Sequence, residues 1–130
     1  MDKPISGMMT KSVWTALDED TVEKVEGLMA RHHLASVPVV DGKGAIFGII
    51  SNADLLRFRD ARGNPKVTCA WELCTFRPVE AGPATPARQI AGMMVQHKVH
   101  HVVITENRKV IGFVSALDFV EQFLLHEPSR

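Results

Sequence analysis

The chain has 130 residues, 45% of them hydrophobic, and its 15 basic side chains balance 15 acidic ones. This composition fits one compact soluble domain with an ordinary core and excludes a disordered tail, while zero formal net charge removes the long-range field that gathers nucleic acid or anionic lipid. No apolar run approaches the roughly 18–20 residues that cross a bilayer, and Met1-Asp2-Lys3-Pro4 opens without a secretory apolar core, so the reading is a cytoplasmic protein with no membrane partner and nucleic acid an unfavoured one.

In chain order, Asp18-Glu19-Asp20-Thr21 places acids and a cap residue ahead of Val22, Val25, Leu28 and Met29, whose 3-4 spacing predicts an amphipathic helix. Residues 37–40 read as a short apolar strand, Asp41-Gly42-Lys43-Gly44 as a hairpin turn, residues 45–50 as the returning strand, and a helix follows from Asn52. Residues 59–66, with Gly63 and Pro65, read as a linker. Thr85-Pro86 predicts a cap followed by proline at the first helical position, with Ile90, Met93 and Met94 on the buried face. A strand over 102–104, a turn over 105–108, a strand over 109–114 and a closing helix over 116–125 complete the pattern.

The second half repeats the first. Sliding the sequence along itself by one constant offset, with no gap, pairs Thr21 with Thr85, Met29 with Met93, Val39 with Val103, Gly48 with Gly112, Ser51 with Ser115 and Asp54 with Asp118. The expected repeats are residues 1–62 and 67–126, joined into one module because a unit of this size buries little surface alone.

Ser36-Val37-Pro38-Val39-Val40-Asp41 followed by Gly48-Ile49-Ile50-Ser51-Asn52-Ala53-Asp54, and its second copy His101-Val102-Val103-Ile104 followed by Gly112-Phe113-Val114-Ser115-Ala116-Leu117-Asp118, resemble the cystathionine-β-synthase (CBS) domain family. The resemblance implies an α+β fold, a tandem pair (Bateman module) with two small sheets each flanked by helices and related by a pseudo-twofold axis. It also implies a regulatory module binding an adenosine-containing nucleotide such as AMP, ADP or ATP between its repeats, with no required cofactor, and signalling to a separate effector.

Ser51-x-x-Asp54 and Ser115-x-x-Asp118 each stand where a strand becomes a helix, so a capping box explains both pairs without any ligand. A helix start also offers donors to phosphate, and a carboxylate can accept both hydroxyls of a ribose. In the family the Ser or Thr approaches phosphate and the Asp holds the ribose. The resemblance implies one cleft from Phe113, Ser115 and Asp118 with Met9, Lys11, Leu34 and Ala35. It implies another from Ile49, Ser51 and Asp54 with Leu73, Thr75, Lys98, Val99 and His100. Arg57 and Arg59 follow Asp54, whereas Glu121 stands at the position equivalent to Arg57, so with Lys98 and His100 facing it the Asp54 cleft is expected to suit phosphate charge better; a solvated helix end is the alternative reading of the two arginines. The second copy departs from the pattern at Val102, read as the equivalent of Pro38, and at Gly82-Pro83-Ala84.

His97, His100 and His101 lack metal-ligand spacing, since neighbours in a strand point oppositely. Cys69 and Cys74 read as reduced structural thiols. A nucleophile elbow and a P-loop are both absent from the sequence, so no catalytic role is expected. The closing helix carries Leu117, Val120 and Leu124 on one stripe and Phe119 with Phe123 on another, and the aromatic stripe, with Leu55 and Phe58, is expected to be left over for a homodimer contact. A scaffold that dimerises without a ligand is the alternative, and a nucleic-acid binder a weaker one.

Overall fold

The computed structural model describes residues 2–125, so Met1 and His126, the outer ends of the two expected repeats, lie outside the described residues. The chain forms two compact units, one of residues 14–78 with 107–109 and one whose described residues are 2–13, 79–106 and 110–125.

In the first unit, α1 (Val22–Arg31) starts where the Thr21 hydroxyl accepts from the Lys24 N–H at 3.2 Å, and it buries Val22, Val25 and Met29. It packs on a four-stranded sheet ordered β1 (Ala16–Leu17), β2 (Ser36–Val40), β3 (Ile46–Ser51) and β4 (Thr75–Phe76). β2 is buried at every residue because it lies between two neighbours, whereas β3 alternates buried and half-buried positions. Pro38 is tolerated in this inner strand because β1 pairs only with Val39 and Val40. Helices α2 (Asn52–Asp60) and α3 (Ala70–Leu73) complete the unit. Its core is Ala16, Val25, Met29, Val37, Val39, Ile50, Ala70 and Cys74, with Leu55 packed against it.

The segment expected as a linker is tied into this unit. Residues 59 and 60 are helical, and the carbonyls of Pro65 and Thr68 accept the Glu23 and Val22 N–H groups at 2.9 and 2.8 Å, capping donors that the first turn of α1 cannot satisfy internally. The chain passes between the two units at Val13/Trp14, Pro78/Val79, Glu106/Asn107 and Lys109/Val110.

In the second unit, β5 (Glu80–Ala81), β6 (His101–Glu106) and β7 (Lys109–Ser115) form a sheet in that order, with α4 (Ala87–His97) and α5 (Ala116–Leu125) flanking it. The core is Ile5, Ala87, Ile90, Met94, Val102, Ile104 and Val114. Ile5, in a 3-10 turn at Ile5–Gly7, is fully buried, and its N–H bonds the Thr85 carbonyl at 2.8 Å while the Ala87 N–H bonds the Lys3 carbonyl at 2.9 Å. The N-terminal segment is therefore part of the second unit's core.

Three local expectations are corrected. Pro86 is the N-cap of α4, extended at ψ 140°, rather than its first helical residue, and Thr85 makes no side-chain cap because Lys3 supplies the acceptor instead. The β6–β7 turn is two residues, Asn107 and Arg108, both at positive φ, which matches the twist of the flanking strands better than the four-residue turn expected over 105–108. On α5 it is Phe119 that packs against the core, while Leu117, Val120, Phe123 and Leu124 stay 53–69% exposed, so the leftover face is mainly aliphatic. Leu55 is likewise spent on the first unit's core, and the Phe58 ring lies against Gly63.

The gap-free repeat is corrected too. The helix caps Thr21 and Pro86, the buried pairs Val25/Ile90 and Met29/Met94, and the left-handed residues His33 and Lys98 all share one offset, and the boxes at Ser51 and Ser115 stand closer together by a single position. That position is lost in the second hairpin turn, and Val103, rather than Val102, stands where Pro38 does. Among the described residues no helix is long and apolar enough to cross a membrane.

Gly48 has no room for a side chain, since an added Cβ would meet Cys74 Sγ and the Thr75 carbonyl oxygen at 2.7 Å, whereas exposed Gly27 in α1 has nothing within 4 Å. Gly48→Ala should lower stability by about 1–3 kcal/mol and Gly27→Ala should raise it by about 0.5–1 kcal/mol, both read as urea midpoints.

Candidate functional site

β3 ends at Ser51, and the next residue opens α2 with its amide on the Ala35 carbonyl at 2.9 Å. The Ser51 hydroxyl accepts from the Asp54 N–H at 3.3 Å, and Asp54 Oδ2 accepts from the Ser51 N–H at 2.8 Å and from its hydroxyl at 3.0 Å. This is the capping box in full, and it holds Asp54 at 4% exposure on the positive end of α2. Arg57, one turn on, closes onto Asp54 Oδ1 with its guanidinium, while its own side chain stays largely in solvent. Arg59 pairs with Glu26 of α1. Ile49 lies opposite Pro38 on one side and Thr75 on the other. Ala35 is exposed and Leu34 and Leu73 are half-buried against the core.

The second unit builds the same junction. Asp118 Oδ2 accepts from the Ser115 N–H at 2.8 Å, the Ser115 hydroxyl accepts from the Asp118 N–H at 3.2 Å, and the Ala116 amide bonds the His100 carbonyl at 2.8 Å. Asp118 is half-buried, and exposed Glu121 is the residue one turn on. Thr10 bridges Phe113 through both backbone bonds, at 2.9 and 3.0 Å, which sets Met9 against Gly112 and leaves Lys11 exposed. Val99 packs toward the core, and Lys98 is exposed in the left-handed conformation that ends α4.

The structure thus brings Ile49, Ser51, Asp54, Arg57 and Thr75 to one corner of the first unit, and Met9, Phe113, Ser115 and Asp118 to the matching corner of the second. Arg57 is engaged with Asp54 rather than standing free for phosphate. Two residues outside the expected set belong to these corners. His101 stacks on Phe113 with ring centroids 5.3 Å apart and planes 11° from parallel. Ser36, register partner of Ser51, has a buried hydroxyl with no hydrogen-bond partner. The hairpin pattern could have found Ser36, because it sits directly across from the box serine Ser51.

Among the described residues no cluster of His, Cys, Asp or Glu could hold a metal. Both cysteines are free thiols, and burial pushes Cys74 up to about 11, so it is no nucleophile at neutral pH.

Burial holds His101 below the ordinary imidazole range, with His100 adding to the effect and Asp118 opposing it. The unfolded chain takes up this proton near pH 6.5, and the folded one resists it, so stability from His101 is full above that pH and is lost as the pH falls. The urea midpoint should drop between about pH 7 and 5.5, and His101→Phe, which keeps a ring on Phe113, should flatten the drop. An unchanged slope would exclude His101 as its source.

Comparison with known proteins agrees with this arrangement. The family model for the CBS domain matches residues 5–61 and 70–124. The chain is 23% identical over 123 residues to the CBS domain-containing protein YhcV of Bacillus subtilis, covering 95% of this chain and 87% of that one. It is 30% identical over 118 residues to the inosine-5'-monophosphate dehydrogenase of Mycobacterium tuberculosis, covering 89% of this chain but 21% of the enzyme, so it spans about a fifth of that relative. Among solved structures it is similar to the CBS domain pair of MJ0100 in complex with 5'-methylthioadenosine and S-adenosyl-L-methionine, with a TM-score of 0.89, 20% identity and coverage of 98% and 100%. It is also similar to CBSX2 in complex with AMP, with a TM-score of 0.86, 17% identity and coverage of 97% and 99%. With both copies matched and both junctions built alike, the chain belongs to the CBS domain family as a tandem pair.

Proposed function

We propose that this CBS pair is a regulatory module that senses an adenosine-containing ligand through Asp54 and Asp118 and passes the signal to a separate effector in the cytoplasm. The observation that carries the reading is the repeated junction, in which a carboxylate is fixed at a helix start by its own strand's last amide. A carboxylate so placed accepts hydroxyls of a ribose, and the positive end of the helix, with Ser51 or Ser115, suits a phosphate. Ile49, Phe113, Met9, Leu34 and Val99 offer apolar surface for a base; Lys11, Ala35, Thr75, Lys98 and His100 complete the expected sets. The complexes of MJ0100 and CBSX2 support an adenosine ligand by analogy of fold. The ligand is regulatory, so no cofactor is required and no catalysis is assigned; the dehydrogenase similarity spans only a fifth of that enzyme.

A homodimer scaffold is the second reading. It is favoured by the exposed apolar face of α5, with Leu117, Val120, Phe123 and Leu124 each more than half exposed.

Thermal unfolding against adenine and guanine nucleotides, S-adenosylmethionine and NAD tests the first reading. A ligand at 100 times its dissociation constant adds about 2.7 kcal/mol, which moves the midpoint by several degrees for a chain this size. The shift should be confined to adenosine ligands and should shrink in Asp54→Ala or Asp118→Ala. Each variant also loses its cap, at a cost of about 1 kcal/mol, so the ligand-dependent change is the readout. No shift with any ligand, with a dimeric mass retained, would favour the scaffold. For that contact, joint replacement of Leu117, Val120 and Leu124 by Ser should give a folded monomer by light scattering, whereas Phe119→Ser should cost stability because its ring serves the core.

A further inference from the structure

We infer that Arg57 is a latch on the Asp54 carboxylate that makes its corner selective for phosphate-bearing nucleosides, while the Asp118 corner, which has no such latch, takes nucleosides without phosphate. The inference rests on the adenosine-sensing reading and divides its two sites by ligand class.

Both oxygens of Asp54 are already committed. Oδ2 accepts from the Ser51 amide and hydroxyl, at 2.8 and 3.0 Å, and Oδ1 accepts from the Arg57 guanidinium. A ribose diol draws on lone pairs of both carboxylate oxygens, so a ligand reaching Asp54 competes with Arg57 at Oδ1. Most of the Arg57 side chain lies in solvent, so there is room for it to swing aside, but the guanidinium then loses the carboxylate that it held. A phosphate on the same ligand supplies an anion in its place, with two oxygens matched to the guanidinium fork. A neutral or cationic adenosine derivative displaces the arginine without replacing its partner, and so binds at a disadvantage.

The second corner lacks every part of this exchange. The Asp118 carboxylate accepts from the Ser115 N–H, and one turn on stands Glu121, an acid where the first unit has Arg57. Its charge adds to that of Asp118 and disfavours an incoming phosphate. The two junctions share the box contacts and, one turn on, differ in the sign of the side chain.

Titration calorimetry with AMP and with adenosine, combined with amide NMR shifts of Ser51 and Ser115 to report which corner fills, tests the inference. In the wild type AMP should perturb Ser51 and adenosine Ser115. Arg57→Ala should weaken AMP at the Ser51 corner about tenfold and strengthen adenosine there, because the freed oxygen needs no displacement. Glu121→Arg should shift the Ser115 corner toward AMP. Equal losses for AMP and adenosine in Arg57→Ala, or no change in either, would overturn the latch while leaving the sensing reading intact. Failure of both ligands to bind the wild type would overturn the two together.

Discussion

The structure turns on one short loop of hydrogen bonds, in which an aspartate three residues into a helix reaches back to the last amide of the preceding strand. At Ser51 and Ser115 the strand delivers its final N–H to a carboxylate that the helix itself positions, so the direction of the helix is fixed relative to the sheet. Everything placed around each corner follows. The pre-strand carbonyls of Ala35 and His100 take the first helical amides, and the strand positions that precede the box place Ile49 and Phe113. An aspartate that serves the fold is in this way held at the positive end of a helix.

The two corners show how little is needed for duplicated sites to diverge. Their backbone bonds agree closely, at 2.8 Å for both Ser N–H to Asp contacts and 3.3 and 3.2 Å for the return contacts. Their surroundings do not agree. A buried Asp54 bears an arginine, whereas a half-buried Asp118 lies in a corner with a stacked His101–Phe113 pair. Side chains that take no part in the box contacts are the ones that differ between the two corners.

Much of this was legible in the sequence because it rests on local rules. Cap residues ahead of 3-4 apolar spacing located α1, the hairpin around Asp41–Gly44 located β2 and β3, and the box was visible as Ser-x-x-Asp at a strand end. What stayed hidden depends on partners distant in sequence. Nothing around Ile5 announces that it enters the core beside Ile90 and Val114, because a single isoleucine in a polar segment has no period. The two-residue strands at Ala16, Thr75 and Glu80 are defined only by the neighbours that they pair with. Which stripe of α5 faces inward is decided by packing against the core, and so is the engagement of Arg57, since a charge at a helical position reads equally as solvated or paired.

The change of offset within the repeat lies in the hairpin turn, where the first copy has Asp41-Gly42-Lys43-Gly44 and the second has Asn107-Arg108. A residue gained or lost in a strand would turn every following side chain to the opposite face, whereas a turn absorbs it for a small entropic cost. Length drift between copies is therefore filtered into turns, and roles cannot be carried from one copy to the other at a constant spacing. The spacing that joins Ser51 to Ser115 carries Ala35 to Val99, which packs toward the core, but the carbonyl that receives the helix amide in the second copy belongs to His100. Any transfer of ligand contacts between CBS repeats has to be made by hydrogen-bond role rather than by number.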